Sequence, residues 1–207
     1  MKFVRLHGSH SQSGQESFVL GILDNLENGF FLEIGAFHSK ELSNTFLLER
    51  RFGWRGVAIE VDKKRSKEYN RNRENPCITA DATTCNYEKL FFEYNAPQII
   101  DYLQIDIEPA SNSLRALMSL PFFNTKFRTI TFEHDVYSDI KNLKIQEQAF
   151  SFLQSYGYSR VAENVKNSGL CYEDWYILPE LVDARFQNFS LPPNTEYIDF
   201  FDYSAFE

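Results

Sequence analysis

The run Phe30-Phe31-Leu32-Glu33-Ile34-Gly35-Ala36 constrains this chain most. Apolar residues and one acid lead into a glycine, the pattern of a buried parallel strand that delivers backbone to a ligand. A second run, Gly56-Val57-Ala58-Ile59-Glu60, closes on another acid 25 residues after Gly35. Strand, glycine turn, helix, then a strand ending in an acid is the nucleotide-binding half of a doubly wound α/β fold. In that unit the glycine permits a close backbone approach, and the second acid accepts hydrogen bonds from ribose hydroxyls.

The alternation continues along the chain. Cys77 to Ala80, Ile99 to Asp106 and Arg128 to Glu133 read as further core strands. Helices are predicted from the apolar periodicity of Phe18 to Leu26, over Leu42 to Phe52, from the cap Asp62 to near Asn75-Pro76, over Tyr87 to Tyr94, from Pro109 to near Pro121, and over Leu143 to Tyr156. Tyr158 to Glu163 and Trp175 to Leu178 read as a final hairpin. The expected fold is a Rossmann-like, doubly wound, mostly parallel seven-stranded sheet with helices on both faces. One domain over residues 1–207 is expected, with an N-terminal segment, 1–28, and an aromatic, acidic tail, 184–207, as appendages.

Composition narrows the partners. A net charge of −8 argues against nucleic acid. Lys63, Lys64, Arg65, Arg71 and Arg73 read as a solvated helix face. Three cysteines without a C-x-x-C pair suggest a reducing compartment. The sequence contains no long apolar stretch and its N-terminus lacks a signal-peptide core, so a cytoplasmic protein without a membrane partner is expected. Nothing in the sequence selects an oligomeric state.

The glycine pattern separates two cofactor classes. NAD needs G-x-G-x-x-G for its pyrophosphate, whereas Gly35 stands alone before Ala36-Phe37-His38-Ser39. Glu33 would repel a pyrophosphate but could receive the ammonium of a methionine moiety. S-adenosylmethionine (SAM) is therefore the expected cofactor. Glu33 and Gly35 would meet its methionine part, and Glu60, followed by Val61, its ribose. Asp81, followed by Ala82, would accept from the adenine amino group.

Every predicted strand end carries an acid, although clustered carboxylates repel one another. Asp106, Glu108, Glu133 and His134 lie where a methyl acceptor would enter. Asp106, Glu108 and His134 are the candidate catalytic cluster, with the imidazole taking a hydroxyl proton. Asp106, Glu133 and His134 could instead hold Mg²⁺ or Mn²⁺, which would acidify the hydroxyl. Trp175 could wall the acceptor pocket, with core packing its plainer reading. No spacing supports a hydrolase triad.

Several segments resemble the FkbM-type SAM-dependent methyltransferases. Ser11-Gln12-Ser13-Gly14-Gln15-Glu16 is similar to the family's S-Q-x-G-x-[DE] element. Phe31 to Ala36 with Leu42-Ser43-Asn44-Thr45 is similar to its first cofactor motif and S-N-T. Ile100 to Glu108 resembles D-[FY]-L-x-[IL]-D-[IV]-E, and Glu133-His134 its later E-H. Tyr172 to Tyr176 resembles a late segment of some members. On this resemblance Gln12, Ala36, Phe37, Ser43 and Asp106 join the cofactor-binding candidates. Two departures stand out. Phe37, His38 and Ser39 replace the end of D-I-G-A-N-x-G, and Glu108-Pro109-Ala110-Ser111 replaces E-G-x-E. The resemblance implies O-methylation of a sugar, glycan or small-metabolite hydroxyl. A non-catalytic SAM-fold binding or assembly module is the alternative, and a nucleotide-sugar enzyme using NAD is a third reading.

Overall fold

A computed structural model describes residues 2–202. Its centre is a seven-stranded sheet of β2 (Phe30–Ile34), β3 (Arg55–Glu60), β4 (Cys77–Thr79), β5 (Ile99–Ile105), β6 (Lys126–Glu133), β7 (Ser159–Asn167) and β8 (Leu170–Ile177). The spatial order is β4-β3-β2-β5-β6-β8-β7. Pairs from β4 to β6 are parallel, and β8 runs antiparallel to β6 and β7. The expected mixed, mostly parallel sheet is thus the one formed. The chain steps outward from β2 to β4, then returns to lay β5 against the other side of β2. That reversal opens a crevice beyond the carboxyl ends of β2 and β5, where ligands bind in such sheets.

Alternation along each strand sends side chains to two helical layers. On one face, Phe18, Val19 and Ile22 of α1 (Gln15–Ile22) and Leu48 of α2 (Phe46–Phe52) pack with Phe31, Tyr102 and Trp175. The Trp175 indole stacks on Phe18 at 4.5 Å and is fully buried, so it belongs to this core and not to a pocket wall. On the same face, Tyr69 of α3 (Lys63–Asn72) packs with Ala36 and Ala58. The other face is covered by α4 (Tyr87–Glu93), α5 (Ala110–Ser119) and α6 (Leu143–Ser155), through Leu90, Leu117 and Leu153 against Leu32, Leu103 and Ile130.

Several expected bounds move. The first helix is earlier, beginning after Gly14 in left-handed backbone (φ 79°). The second loses its first turn, because Leu42 is left-handed (φ 59°) and Ser43 Oγ accepts the Thr45 N–H, a local bond that competes with helix. The third ends at Asn72, and Arg73 leaves the expected basic face for the interior. Lys63, Lys64, Arg65 and Arg71 remain exposed. The hairpin strands are longer than predicted and turn at Ser168-Gly169, both left-handed; register shifts in β7 broke the apolar alternation that would have revealed it. Near the ends, β1 (Phe3–Val4) pairs in parallel with β9 (Phe201–Asp202). The last five residues of the predicted tail lie outside the described residues. Among the described residues, no helix is long and apolar enough to cross a membrane.

Candidate functional site

Two adjoining cavities fill the crevice, and Gly35 lines both. The larger, about 280 Å³, lies over the ends of β2, β5 and β6. The smaller, about 130 Å³, lies toward β3 and β4. Gly35 has φ +90°, and a Cβ built on it would overlap the Asp106 carbonyl oxygen. The glycine is therefore demanded first by the chain's own approach at the switch point, which leaves both cavities open around it.

The smaller cavity collects Glu60, Val61, Asp81, Ala82 and Glu108. Glu60 is buried; one carboxylate oxygen accepts the Phe37 N–H at 3.0 Å and the other the Asp62 N–H at 2.8 Å. Each oxygen keeps a lone-pair direction for a further donor. Asp81 Oδ1 accepts from the Thr83 N–H and Oγ1, and these bonds hold its pKa below the usual range. Val61, Ala82 and Ile107 supply apolar walls.

Glu33, Asn44, Gln104, Asp106 and Glu133 line the larger cavity. Glu33 is buried; its Oε2 accepts from Thr45 Oγ1 at 2.9 Å and from the Tyr69 hydroxyl at 3.0 Å. Burial raises its pKa, opposed by the charge of Arg73. Arg73 is the organiser that sequence reasoning missed. Its guanidinium donates to Glu49 at 2.9 Å, to the Ser39 carbonyl, to Ser43 Oγ, and to the carbonyl and Oγ1 of Thr45. Ser43 is spent on this bracing and lines neither cavity.

Gln104 and Asn44 hold buried side-chain carbonyls with no hydrogen-bond partner. Unsatisfied buried acceptors are costly, so a cavity lined by two of them suits a donor-rich ligand. Gln104 could have been suspected as the one uncharged polar residue inside the apolar run Ile99 to Ile105 that sits level with Glu33.

Asp106 and Glu133 end neighbouring strands in register and share a hydrogen bond between their carboxyl groups. Burial first, then neighbouring carboxylates, raises both pKa values. Glu133 is also the cross-strand partner of Glu173, whose pKa burial pushes up to about 8. Glu173 Oε1 accepts from Gln15 of α1 at 2.7 Å and from the Trp175 indole at 2.9 Å.

The expected cluster of Asp106, Glu108 and His134 is not assembled. Glu108 is on the smaller cavity, and His134 is 0 % exposed and lines neither. One step along a strand reverses the side chain, so His134 points away from Glu133. Its Nε2 lies 3.3 Å from Asp174 Oδ1, and its Nδ1 accepts the Val136 N–H at 3.3 Å. The expected metal set of Asp106, Glu133 and His134 fails for the same reason. Among the described residues, no group of three His, Cys, Asp or Glu side chains converges to hold a metal ion, so the residues do not fit Mg²⁺ or Mn²⁺.

Gln12 and Ala36 line the larger cavity, as does Phe37, but Arg65 covers the Phe37 ring at 3.8 Å. Phe37 is also left-handed (φ 45°), a conformation asparagine accepts more readily than an aromatic residue. Tyr137 and Tyr172, which sequence reasoning did not assign, form the remaining wall with ring centroids 4.6 Å apart. Tyr137 lies beyond the end of β6, where no periodicity marks it.

No protein-family model matches the chain, and no curated protein matches it by sequence. Solved structures do. A Bacillus cereus O-methyltransferase in complex with S-adenosylhomocysteine is similar with a TM-score of 0.57 and 15% identity, covering 84% of this chain and 84% of that one. A Klebsiella pneumoniae protein assigned as an O-methyltransferase has a TM-score of 0.55 and 10% identity, covering 84% and 83%. A Clostridium thermocellum protein assigned as an rRNA methylase has 0.54 and 12%, covering 83% and 97%. The fold is the Rossmann-like fold of the SAM-dependent methyltransferases.

Proposed function

We propose that the chain is a SAM-dependent O-methyltransferase acting on a hydroxyl of a small molecule, sugar or glycan. The observation that carries this reading is the pair of partnerless buried carbonyls, Gln104 and Asn44, beside Glu33 in the switch-point cavity. Those three acceptors match the three donors of an α-ammonium group. Glu60, with lone pairs to spare, would hold the ribose hydroxyls; Asp81 would meet the adenine amino group between Val61 and Ala82. When bound, SAM supplies a methyl group that bonds to the acceptor oxygen as the C–S bond breaks and its electron pair stays on sulfur as a neutral thioether. Asp106 takes the hydroxyl proton, and Glu133 holds it in place through their shared hydrogen bond. A positioned base of this kind contributes about 10²–10⁴-fold. The O-directed choice is supported by the motif order from Ser11-Gln12 to Glu133-His134 that resembles the FkbM-type enzymes.

The test is transfer of labelled methyl from SAM to a panel of hydroxyl acceptors. Asp106→Asn is expected to lose at least about 10²-fold in turnover. SAM binding without turnover on any acceptor would instead support a non-catalytic module, the reading favoured by the strained, Arg65-covered Phe37.

A further inference from the structure

We propose that the methyl acceptor is a phenol, a hydroxyl carried on an aromatic ring, seated against Leu42, Tyr137 and Tyr172 with its oxygen at Asp106. This rests on the SAM reading above and names the acceptor class for the same cavity.

The walls of the cavity carry the first part of the inference. Glu33, Gly35, Ala36, Asn44 and Gln104 serve the methionine end of the cofactor. Of the other lining residues, Phe37 is already covered by Arg65, which leaves Leu42, Tyr137 and Tyr172 as the apolar surface beside Asp106 and Glu133. Leu42 and Tyr137 are 54 % and 40 % exposed, whereas the aromatic residues of the two helical layers are buried. The Tyr137 and Tyr172 rings lie 4.6 Å apart at 41° and form one aromatic wall. A flat ring laid on that wall removes apolar area from water and gains the directional attraction of an aromatic pair. Tyr137 is wall and not base: burial, then the charges of Asp135 and Glu133, raise its pKa, so its hydroxyl keeps the proton.

Acidity carries the second part. Among the described residues, no Lys, Arg or His lines the larger cavity, and the side chains do not fit a divalent cation. No positive side chain is placed to stabilise an alkoxide, so a carboxylate alone must take the proton. Burial raises the Asp106 pKa yet leaves that carboxyl a far stronger acid than any alcohol. A phenol has a pKa of about 10 and an alcohol one near that of water, about 15.7, so roughly a million times more phenolate than alkoxide forms at a given pH. In the transfer, the phenolic proton passes to the Asp106 carboxylate as the oxygen bonds to the methyl carbon. The C–S bond breaks with its electron pair staying on sulfur, and the products are an aryl methyl ether and S-adenosylhomocysteine.

The test compares labelled-methyl transfer from SAM to phenol, to cyclohexanol, which has the same ring size without aromaticity or acidity, and to glucose. Turnover on phenol is expected to exceed that on either alcohol by at least about 10²-fold. Tyr137→Ala is expected to raise the KM for phenol about tenfold, and Tyr137→Phe to stay within about twofold of the native value, because the ring and not its hydroxyl forms the wall. S-adenosylhomocysteine affinity within about twofold of native is the folding control for both variants. Equal or faster turnover on cyclohexanol or glucose would overturn the proposal and leave the SAM reading standing, as would an unchanged KM in a Tyr137→Ala protein that passes the control. Turnover on none of the three by protein that binds S-adenosylhomocysteine would also overturn it. Failure of S-adenosylhomocysteine to bind the native protein would reject the cofactor reading beneath it.

Discussion

At the scale of single residues, Arg73 and His134 have roles that their neighbours in sequence conceal. Arg73 sits in a charged stretch but pairs with Glu49 in the interior, and its charge opposes the burial that raises the pKa of Glu33. Arg73→Ala would leave buried carboxylates without their cation. A loss of about 3–5 kcal/mol in urea unfolding is expected, and a loss below about 1 kcal/mol would show that the network is dispensable. His134→Ala should lower stability through its lost contact with Asp174 while leaving S-adenosylhomocysteine affinity unchanged. A turnover defect in a fully stable His134→Ala protein would return that imidazole to the acceptor site. The motif residues themselves were legible from sequence: Glu33, Gly35, Glu60, Asp81 and Asp106 all reach the crevice. His134 was not, because adjacency to Glu133 in sequence means opposition on a strand.

At the scale of elements, the core strands could be read because each is a short apolar run ending in an acid. The N-terminal segment could not, since its anchors are polar and long-range. Glu16 of α1 is fully buried, accepts from Ser9 Oγ, the His10 N–H and the Leu47 N–H, and has its pKa pushed up to about 7 by burial. These bonds fasten the segment bearing Gln12 beside the cavity, where Ser11 bridges to Leu42. Glu16→Ala leaves those donors unsatisfied, at about 1–3 kcal/mol for each buried group. The variant is expected to be cleaved by protease near residues 8–14 faster than the native chain, and to bind S-adenosylhomocysteine more weakly. Unchanged cleavage and affinity would mean that the segment is held by its apolar contacts alone.

At the scale of the whole molecule, stability should depend on pH in a direction set by the buried acids. Burial raises Glu16 to about 7 and Glu173 to about 8, against an ordinary value of 4.5. The folded state therefore keeps protons that the unfolded chain has released. Their contribution is fully present below about pH 4.5 and is lost as pH rises through 7 and 8. Asp174 and Glu49, held below the usual range despite burial by their cationic and hydrogen-bonding partners, act oppositely and lose their contribution in acid. The thermal midpoint is expected to fall by roughly 5–10 °C between pH 5.5 and 8.5. A rising midpoint over that interval would show these acids to be ionised in the fold. A different set of acids, Glu33, Glu60, Asp106 and Glu133, lines the crevice at the carboxyl ends of the strands, and the identity of the ligand held there is the central claim. Titration calorimetry with S-adenosylhomocysteine tests it most directly. The native protein is expected to bind one equivalent, and Glu60→Ala to bind about 10- to 150-fold more weakly for the loss of charge-assisted ribose bonds. No binding by the native protein, or an unchanged affinity in a folded Glu60→Ala variant, would contradict the account.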